Sequence, residues 1–338
     1  MPTAHLAQAT PWITAAATQH GADLLPVVMQ RLQLTRRRAQ AVLQQLVQAQ
    51  WLERSGSARK PVYRAGTMRQ AVKTYPLAGL DEDHAWRRDF LPLFELAPNV
   101  AELLHYAFTE LVNNAVDHSG GSAVTISLRQ TALHLQLLVS DDGCGLFDRV
   151  GRELAIDEPG VAMFELAKGK LTTQPERHRG HGLFFTARMA DVFNVQANHA
   201  AFQRLGLEQA SWGSARAVPR QGTTVYLAID RDTPRTLGSV LQSASHIEGG
   251  YGLQRTQLPL RLLASNGLIS RSQARRVLQR LASFDAAELD FGGVQMLGHS
   301  FVDELLRVNA AGQTAPPMQM RGLRPELQRM LADWSLPA

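Results

Sequence analysis

One stretch, from Val100 to Val116, repeats apolar residues at helical spacing without a break and constrains the fold of this chain most tightly. Intervals of three and four residues predict a helix with a single buried face. Asn99 is predicted to cap this helix, with Glu102 as its capping-box partner. The predicted buried face consists of Val100, Leu103, Leu104, Ala107, Phe108, Leu111, Val112, Ala115 and Val116.

A polar stripe runs along the other side of the same helix. Glu110, Asn114 and Asp117 follow one another at intervals of four and three residues, so they share one face. Amide and carboxylate oxygens suit a hydrated Mg²⁺, and a carboxylate beside them can polarise a water molecule or a hydroxyl group. The stripe therefore predicts a site for metal-assisted chemistry.

Two predicted strands, Ala123–Leu128 and Ala132–Val139, come next and alternate in the period-two manner. The second strand runs directly into Asp141. Gly143 and Gly145 then allow a close turn, which leaves the buried Asp141 carboxylate free to accept a hydrogen bond.

A second glycine pair, Gly180 and Gly182, opens a predicted helix that runs to about Ala190. Backbone N–H groups at the start of such a helix attract phosphate. Later, Gly222 and Thr223 enter another predicted strand.

Taken in order, these motifs resemble those of the GHKL superfamily: Glu-x-x-x-Asn on a helix, Asp-x-Gly-x-Gly after a strand, Gly-x-Gly before a helix and Gly-Thr at a strand. That superfamily includes DNA gyrase, histidine kinases, mismatch-repair ATPases and anti-sigma-factor kinases, which share the Bergerat ATP-binding fold. The resemblance covers about Trp86 to Asp232 and implies ATP and Mg²⁺ as cofactors.

The resemblance also implies a role for each matched residue. Glu110 corresponds to the general base, and Asn114 to the ligand of the Mg²⁺ that bridges the phosphates. Asp141 corresponds to the acceptor for the adenine amino group. His181 stands where an acidic residue is expected, so ATP binding is expected to survive while the chemistry of the lid differs. The other implied nucleotide contacts are Asp117, Gly143, Gly145, Lys170, Gly180, Gly182 and Thr223, with Lys168 in the same lid region as Lys170.

Other reactive residue types receive a structural interpretation. His118, His178 and His181 lack the close spacing and the paired cysteines of a zinc site. Cys144 has no adjacent base and is interpreted as a small filler in a glycine turn. His105 lies outside the polar stripe and is interpreted as a surface or packing residue.

Positive charge is concentrated in residues 1–66, where eight basic residues against two acidic ones give a net charge of +6. The remaining 272 residues hold 27 basic and 28 acidic residues, a net charge of −1. A basic N-terminal segment followed by a nearly neutral remainder predicts a polyanion-binding module that is joined to domains with a different function.

The elements predicted for this segment resemble a winged helix-turn-helix domain, with three helices at residues 4–19, 23–33 and 36–50 and then two strands around a basic turn. Thr35 is the predicted cap of the third helix. The basic residues of its first turn oppose the helix dipole, so a DNA major groove is their favoured partner. A helical bundle with a solvated basic face and a protein-docking winged helix stay open as alternatives. The predicted DNA contacts are Arg36, Arg37, Arg38, Arg59 and Lys60.

The C-terminal segment has a predicted β-α-β-α-β-α order, which indicates a small α/β domain. Ser270 is predicted to cap a helix, with Gln273 at the capping-box position. The segments around Ser270, Asp290 and Ser300 resemble a STAS-like domain, a fold found in anti-sigma-factor antagonists. Ser300 is either a phosphoacceptor or a cap of the helix that follows. The predicted strands are Leu258–Leu263, Ala287–Phe291 and Met318–Met320.

The predicted fold class is therefore an α/β multidomain protein. It consists of a winged helix at residues 1–74, a Bergerat-fold α/β sandwich at 75–233 and a STAS-like α/β domain at 234–338, an order that resembles a bacterial family of such proteins. An apolar share of 45% with 19% charged residues excludes wholesale disorder. A single cysteine excludes a disulfide framework. No apolar run approaches the roughly 20 residues of a membrane span, and no secretory signal is recognisable, so a cytoplasmic protein is expected.

The expected function is that of an ATP- and Mg²⁺-binding regulator whose nucleotide state controls DNA or partner engagement. Three hypotheses remain open. The first is an ATPase switch that uses Glu110, and the second is a serine/threonine kinase of the anti-sigma type that phosphorylates Ser300 or a partner STAS domain. The third is a non-catalytic ATP-gated DNA-binding scaffold. A histidine kinase is disfavoured, because no dimerisation helix with a phosphoacceptor His precedes the middle domain. The expected partners are double-stranded DNA, a protein bound by the STAS-like domain and, from the resemblance, a second copy of the chain.

Overall fold

The computed structural model describes residues 4–171, 180–206, 211–244, 253–264, 267–279, 281–310 and 316–334. The helices are α1 (Ala4–His20), α2 (Leu24–Leu32), α3 (Arg36–Gln48), α4 (Glu82–Ala85), α5 (Pro98–His118), α6 (Leu146–Leu154), α7 (Pro159–Lys168), α8 (Gly182–Met189), α9 (Leu237–Ser243), α10 (Arg271–Leu278), α11 (His299–Ala310) and α12 (Pro325–Trp334). The strands are β1 (Leu52–Gly56), β2 (Pro61–Ala65), β3 (Arg69–Pro76), β4 (Ala123–Gln130), β5 (His134–Asp141), β6 (Val192–Asn198), β7 (Ala200–Leu205), β8 (Ser211–Ser214), β9 (Arg220–Asp230), β10 (Arg255–Pro259), β11 (Ala286–Asp290) and β12 (Met318–Arg321).

The chain forms two compact units. The first unit consists of residues 1–143 and 222–234, and the second of residues 144–221 and 235–338. Within the described residues, every helix falls short of the length or the apolarity that crossing a bilayer requires.

The N-terminal part of the first unit packs three helices around a common core and adds an antiparallel hairpin of β1 and β2. Ile13, Val28 and Leu43 meet in that core. The helices and the hairpin follow the predicted order, while the identity of the fold as a winged helix stays a prediction. Thr35 stands at the cap position of α3, although its side chain makes no capping hydrogen bond.

Apart from the hairpin, the strands of the first unit lie in the order β3-β4-β5-β9, and all three neighbouring pairs are antiparallel. β3 pairs with β4 along its whole length, from Arg69 to Pro76. The predicted boundary between residues 74 and 75 thus falls inside a strand of this sheet. Helix α1 also reaches β3, where the Thr14 hydroxyl accepts the Gln70 N–H at 3.0 Å. The N-terminal helices are therefore joined to the sheet rather than separated from it by a linker.

Helix α5 lies over β5 and buries eight of the nine residues of the predicted apolar face. The exception is Val116, which lies one residue past the last buried position and is 36% exposed. The predicted cap is also wrong. The helix begins at Pro98, whose fixed φ suits the first helical turn, and Ala97 takes the cap position. The Asn99 amide instead donates to the Thr233 carbonyl at 2.8 Å.

The second unit contains an antiparallel set, β6-β7-β8, and a parallel three-stranded sheet, β10-β11-β12. Parallel strands joined through α10 and α11 agree with the predicted α/β character of this part. The capping box predicted at Ser270 and Gln273 is confirmed. The strand predicted at Leu258–Leu263 begins earlier and stops at Pro259, because a proline has no N–H with which to continue a ladder. A 3-10 turn takes over at Leu260–Leu263.

Candidate functional site

Asp141 ends β5 and is held rigidly by two backbone donors. Its Oδ1 accepts the N–H of Gly143 at 2.9 Å and that of Thr223 at 3.1 Å, and the residue is 6% exposed. Two charge-assisted hydrogen bonds fix the orientation of this buried carboxylate before any ligand arrives. The motif residues Asp141, Gly143 and Thr223 are thus brought together as predicted from the sequence.

Two glycines leave the space that this arrangement needs. A Cβ on Gly143 would lie 2.2 Å from the Ser119 carbonyl oxygen, at the end of α5. Gly222 has φ +93°, and a Cβ there would lie 2.2 Å from the Asp141 carbonyl oxygen. Side chains at either position would push the backbone away from Asp141, so the close turn depends on glycine.

The polar stripe of α5 is present as predicted. Glu110, Asn114 and Asp117 are each half-buried on the helix that covers β5. Tyr106, one turn before Glu110, hydrogen-bonds to the Glu110 carboxylate, and burial together with that carboxylate raises the pKa of the Tyr106 phenol. The phenol therefore stays protonated at neutral pH and positions Glu110 by donating to it. The sequence analysis missed this pair, although an i, i+4 spacing places both residues on one helix face.

His105 has a packing role, as interpreted from the sequence. Its ring stacks on Trp86 with a centroid distance of 5.5 Å, and its Nε2 lies 3.1 Å from Asp83 Oδ1.

The residues on and beside α5 suit a magnesium ion that is held mainly by a nucleotide. Among the described residues, no cluster of three or more His, Cys, Asp or Glu side chains could form a metal cage. Mg²⁺ bound with phosphates requires only one or two protein oxygens, because it keeps several of its waters. The Asn114 amide oxygen is a suitable donor of this kind.

Asp142 is a structural residue that the sequence did not single out. Its Oδ1 accepts the N–H groups of Ser122 at 2.7 Å and Ala123 at 3.0 Å, and its Oδ2 accepts the Ser122 hydroxyl. The hydrogen bond from Ala123, followed by those from Ser122, lowers the pKa of the Asp142 carboxyl to about 2. The start of β4 is thereby tied to the glycine turn. An aspartate that bonds to nearby backbone N–H groups is a recognisable turn signal.

The Asp142 bonds predict a pH-dependent contribution to stability. Because the pKa is depressed in the folded chain, this contribution is fully present above the ordinary value near 3.9 and disappears as the pH falls toward about 2. Urea unfolding of the wild type and of Asp142→Asn should therefore differ at pH 6 and converge by pH 2. Ser122→Ala removes one donor and should shrink the pH dependence. A difference that stays constant from pH 6 to pH 2 would contradict this role.

In the second unit, Gly145 precedes α6 with φ +89°. A Cβ at Gly145 would lie 2.5 Å from the Asn198 amide nitrogen, and that amide donates to the Cys144 carbonyl at 2.9 Å and to Asp148 Oδ2 at 2.6 Å. Asn198 was missed by the sequence analysis, although an asparagine between two strands is a turn signal. Cys144 is half-buried, and its thiol contacts the Gly145 carbonyl, in keeping with the filler interpretation.

The second glycine pair opens α8 as predicted. The helix begins at Gly182, with His181 at the cap position. Gly180 has φ +67°, and a Cβ there would lie 2.3 Å from the Leu171 carbonyl oxygen. His178 lies outside the described residues, as do the other residues from 172 to 179.

The two lysines of the lid region have partners in the C-terminal part of the second unit. Lys168 is fully buried, and its Nζ lies 3.1 Å from Glu165 Oε1. The same ammonium donates to the carbonyls of Arg276 at 2.5 Å and Gln279 at 3.3 Å, at the C-terminal end of α10. Lys170 donates to the Ser283 carbonyl and lies over the Phe284 ring. Neither contact was anticipated, and a nucleotide contact of Lys170 stays a prediction.

The basic residues predicted to bind DNA are all exposed. One group lies in the first turn of α3 and the other in the turn between β1 and β2. Their side chains make no ion pair with any residue in the described part of the chain. The residues are Arg36, Arg37, Arg38, Arg59 and Lys60.

Ser300 is exposed in the first turn of α11, which begins at His299. The N–H groups of Phe301 and Val302 donate to the Gly298 carbonyl. The cap interpretation is therefore wrong, because Ser300 lies inside the helix instead of before it.

Comparison with known families agrees with this geometry. Residues 99–233 match the family described as Histidine kinase-, DNA gyrase B-, and HSP90-like ATPase. The chain contains a GHKL-type ATPase domain. Residues 273–310 match a STAS-like domain of unknown function (DUF4325), so the chain also contains a STAS-like domain. Neither match extends to residues 1–98. No curated protein sequence matches the chain significantly.

Proposed function

We propose that this protein is a cytoplasmic regulator that binds ATP with Mg²⁺ and whose nucleotide state, through binding and slow hydrolysis, controls the engagement of DNA or a protein partner. The observation that carries the proposal is the Asp141 carboxylate, fixed by two backbone N–H groups in a glycine turn within the region that matches the GHKL ATPases. A second oxygen of such a fixed carboxylate can recognise the amino group of adenine. The half-buried Glu110 and Asn114 on α5 supply the remaining chemistry.

Each residue then has a defined task. Asn114 would hold the Mg²⁺ through its amide oxygen, and the ion would neutralise phosphate charge. Glu110, oriented by Tyr106, accepts a proton from the attacking water. Gly182 starts α8, whose first N–H groups would bind a phosphate. Asp117 and Gly180 are proposed as further nucleotide contacts.

Two lysines of the lid region, Lys168 and Lys170, support a coupling between the nucleotide state and the STAS-like domain. Each donates to carbonyl groups at or after the end of α10. A change of backbone position at Gly169, which has φ +78°, would therefore be transmitted to α10. This connection lies within one compact unit.

Incubation with γ-labelled ATP and Mg²⁺ tests the proposal. For the ATPase, we expect phosphate release that falls by about 10²–10⁴-fold in Glu110→Gln, because a positioned general base contributes that much. Glu102→Gln changes an exposed glutamate of the same helix and should leave the rate unchanged. Wild-type protein that fails to bind ATP would contradict the whole proposal.

The same incubation separates the two alternatives. A serine/threonine kinase would leave label on protein, and its loss in Ser300→Ala would identify the exposed Ser300 as acceptor. Label on an added STAS domain would identify a partner substrate. ATP that binds without phosphate release or labelling indicates an ATP-gated scaffold.

Double-stranded DNA is the proposed partner of the N-terminal region, and its exposed basic residues, which make no ion pair within the described ranges, favour it. Each phosphate contact changes the slope of log affinity against log salt by about 0.9. Replacing Arg36, Arg37 and Arg38 together by alanine should therefore reduce that slope by up to about 3 and weaken duplex binding. Arg271→Ala removes an exposed arginine of α10 and serves as the control. Unchanged affinity in the triple variant would exclude α3 as the DNA-contacting helix.

A further inference from the structure

A cavity of about 880 Å³ opens within the second unit, and none of the described residues that line it is assigned to the nucleotide. Its walls come from the start of α7, from β7 and β8, and from the loops after β10 and β11. Its volume lies in the range of sites for small organic ligands. The ATPase motifs do not explain it.

Arg261 is the only cationic residue that lines this cavity among the described residues. Its side chain lies between two glycines from different elements. A Cβ on Gly293 would come within 2.7 Å of Arg261 Cδ, and a Cβ on Gly213 would lie 3.6 Å from Nη1. Gly293 also has φ +82°, a conformation that favours glycine. Arg261 is exposed, and the two glycines leave room for its side chain along the cavity wall.

The Arg261 guanidinium makes no hydrogen bond or ion pair within the described part of the chain. A planar guanidinium offers paired donors that match a carboxylate or a phosphate. The start of α7, with Gly160 on the cavity wall, adds the positive end of a helix dipole. Both features favour an anionic group in the cavity.

The rest of the lining limits the class of ligand further. Phe202, Leu262 and Met296 provide apolar surface. Glu158 also lines the cavity, and its carboxylate disfavours a ligand with many negative charges. We infer that the cavity binds a small organic acid, with its carboxylate or phosphomonoester on Arg261 and its apolar body against Phe202, Leu262 and Met296. Such a ligand would contact both segments of the second unit, residues 144–221, which lie in the ATPase match, and residues 235–338. The inference does not depend on ATP binding.

Titration of the full chain with benzoate, phenyl phosphate and phenol, followed by ligand-observed NMR, tests this inference. Saturating ATP and Mg²⁺ are present throughout, so that probe binding at the nucleotide motifs is displaced. At least one of the two anions should bind tenfold more tightly than phenol, which has the ring without the charge. The tighter of the two identifies the acidic group as carboxylate or phosphate.

Variants at Arg261 connect the binding to the guanidinium. Arg261→Gln should weaken the tighter anion about tenfold, to the level of phenol, while Arg261→Lys should retain part of the gain. Arg271→Gln, an exposed arginine outside the cavity, should bind like the wild type. Thermal unfolding checks that each variant is folded. Two anions that bind the wild type no better than phenol, or equal binding by Arg261→Gln, would overturn the inference.

Discussion

Asp141→Asn is expected to weaken ATP binding by at least about 30-fold. The Asp141 Oδ1 already accepts two backbone N–H groups, so an asparagine has two orientations, both unfavourable. In the first orientation, the amide oxygen accepts those two N–H groups. The asparagine NH₂ group then faces the adenine amino group, so two hydrogen-bond donors oppose each other. With the amide reversed, the N–H groups of Gly143 and Thr223 lose their acceptor, which costs about 1–3 kcal/mol for each buried group. A variant that rotates this amide in order to bind adenine leaves both N–H groups without an acceptor at a total cost of about 2–6 kcal/mol, which corresponds to a loss of affinity of about 30-fold or more.

Isothermal titration with ATP, in the presence of Mg²⁺, measures this effect. Asp232→Asn makes the same chemical change at an exposed aspartate of the same region and should bind ATP like the wild type. Near-UV circular dichroism shows whether Asp141→Asn keeps its tertiary packing. A folded variant with wild-type affinity would mean that Asp141 orders the glycine turn and has no part in binding the nucleotide.

The residues around Asp141 show what local sequence patterns can predict. The buried face of α5, the Asp141 turn and the start of α8 all depend on residues close together in the chain, and all three were predicted. The Ser270 capping box is also a local feature, since both of its partners lie within four residues of each other. Periodicity and turn chemistry are local properties, so a single sequence reports them well.

Several of the errors and omissions involve partners that are distant in the chain. Asn99 was predicted as a cap, but its amide finds the Thr233 carbonyl, 134 residues away. The ammonium of Lys168 binds a carbonyl 108 residues away, and that of Lys170 one 113 residues away. From the sequence alone, a basic side chain beside a glycine is equally consistent with a phosphate ligand and with a donor to carbonyl groups at the end of a helix. Only the tertiary structure selects between the two, because no local pattern encodes the position of α10.

Lys168→Met is expected to destabilise the folded chain by about 3–5 kcal/mol, the usual cost of removing one member of a buried ion pair. Lys168 is 0% exposed and Glu165 is 3% exposed, so the variant leaves a carboxylate in the interior without its cation. The carbonyls of Arg276 and Gln279 lose their donor as well. Methionine fills a similar volume, so cavity formation contributes little to the loss.

Urea unfolding measures the change, and the double variant Glu165→Leu with Lys168→Met isolates the charge effect. Replacing both members of a buried pair by apolar residues is often neutral or stabilising, so the double variant should recover most of the loss. Lys170→Met removes a half-buried lysine two residues away and should cost much less. If the single and double variants are equally destabilised, the carbonyls of α10 rather than Glu165 are the important partners of Lys168. A single variant as stable as the wild type would contradict the buried pair itself. It would also remove the physical basis for transmitting the nucleotide state through Lys168 to α10.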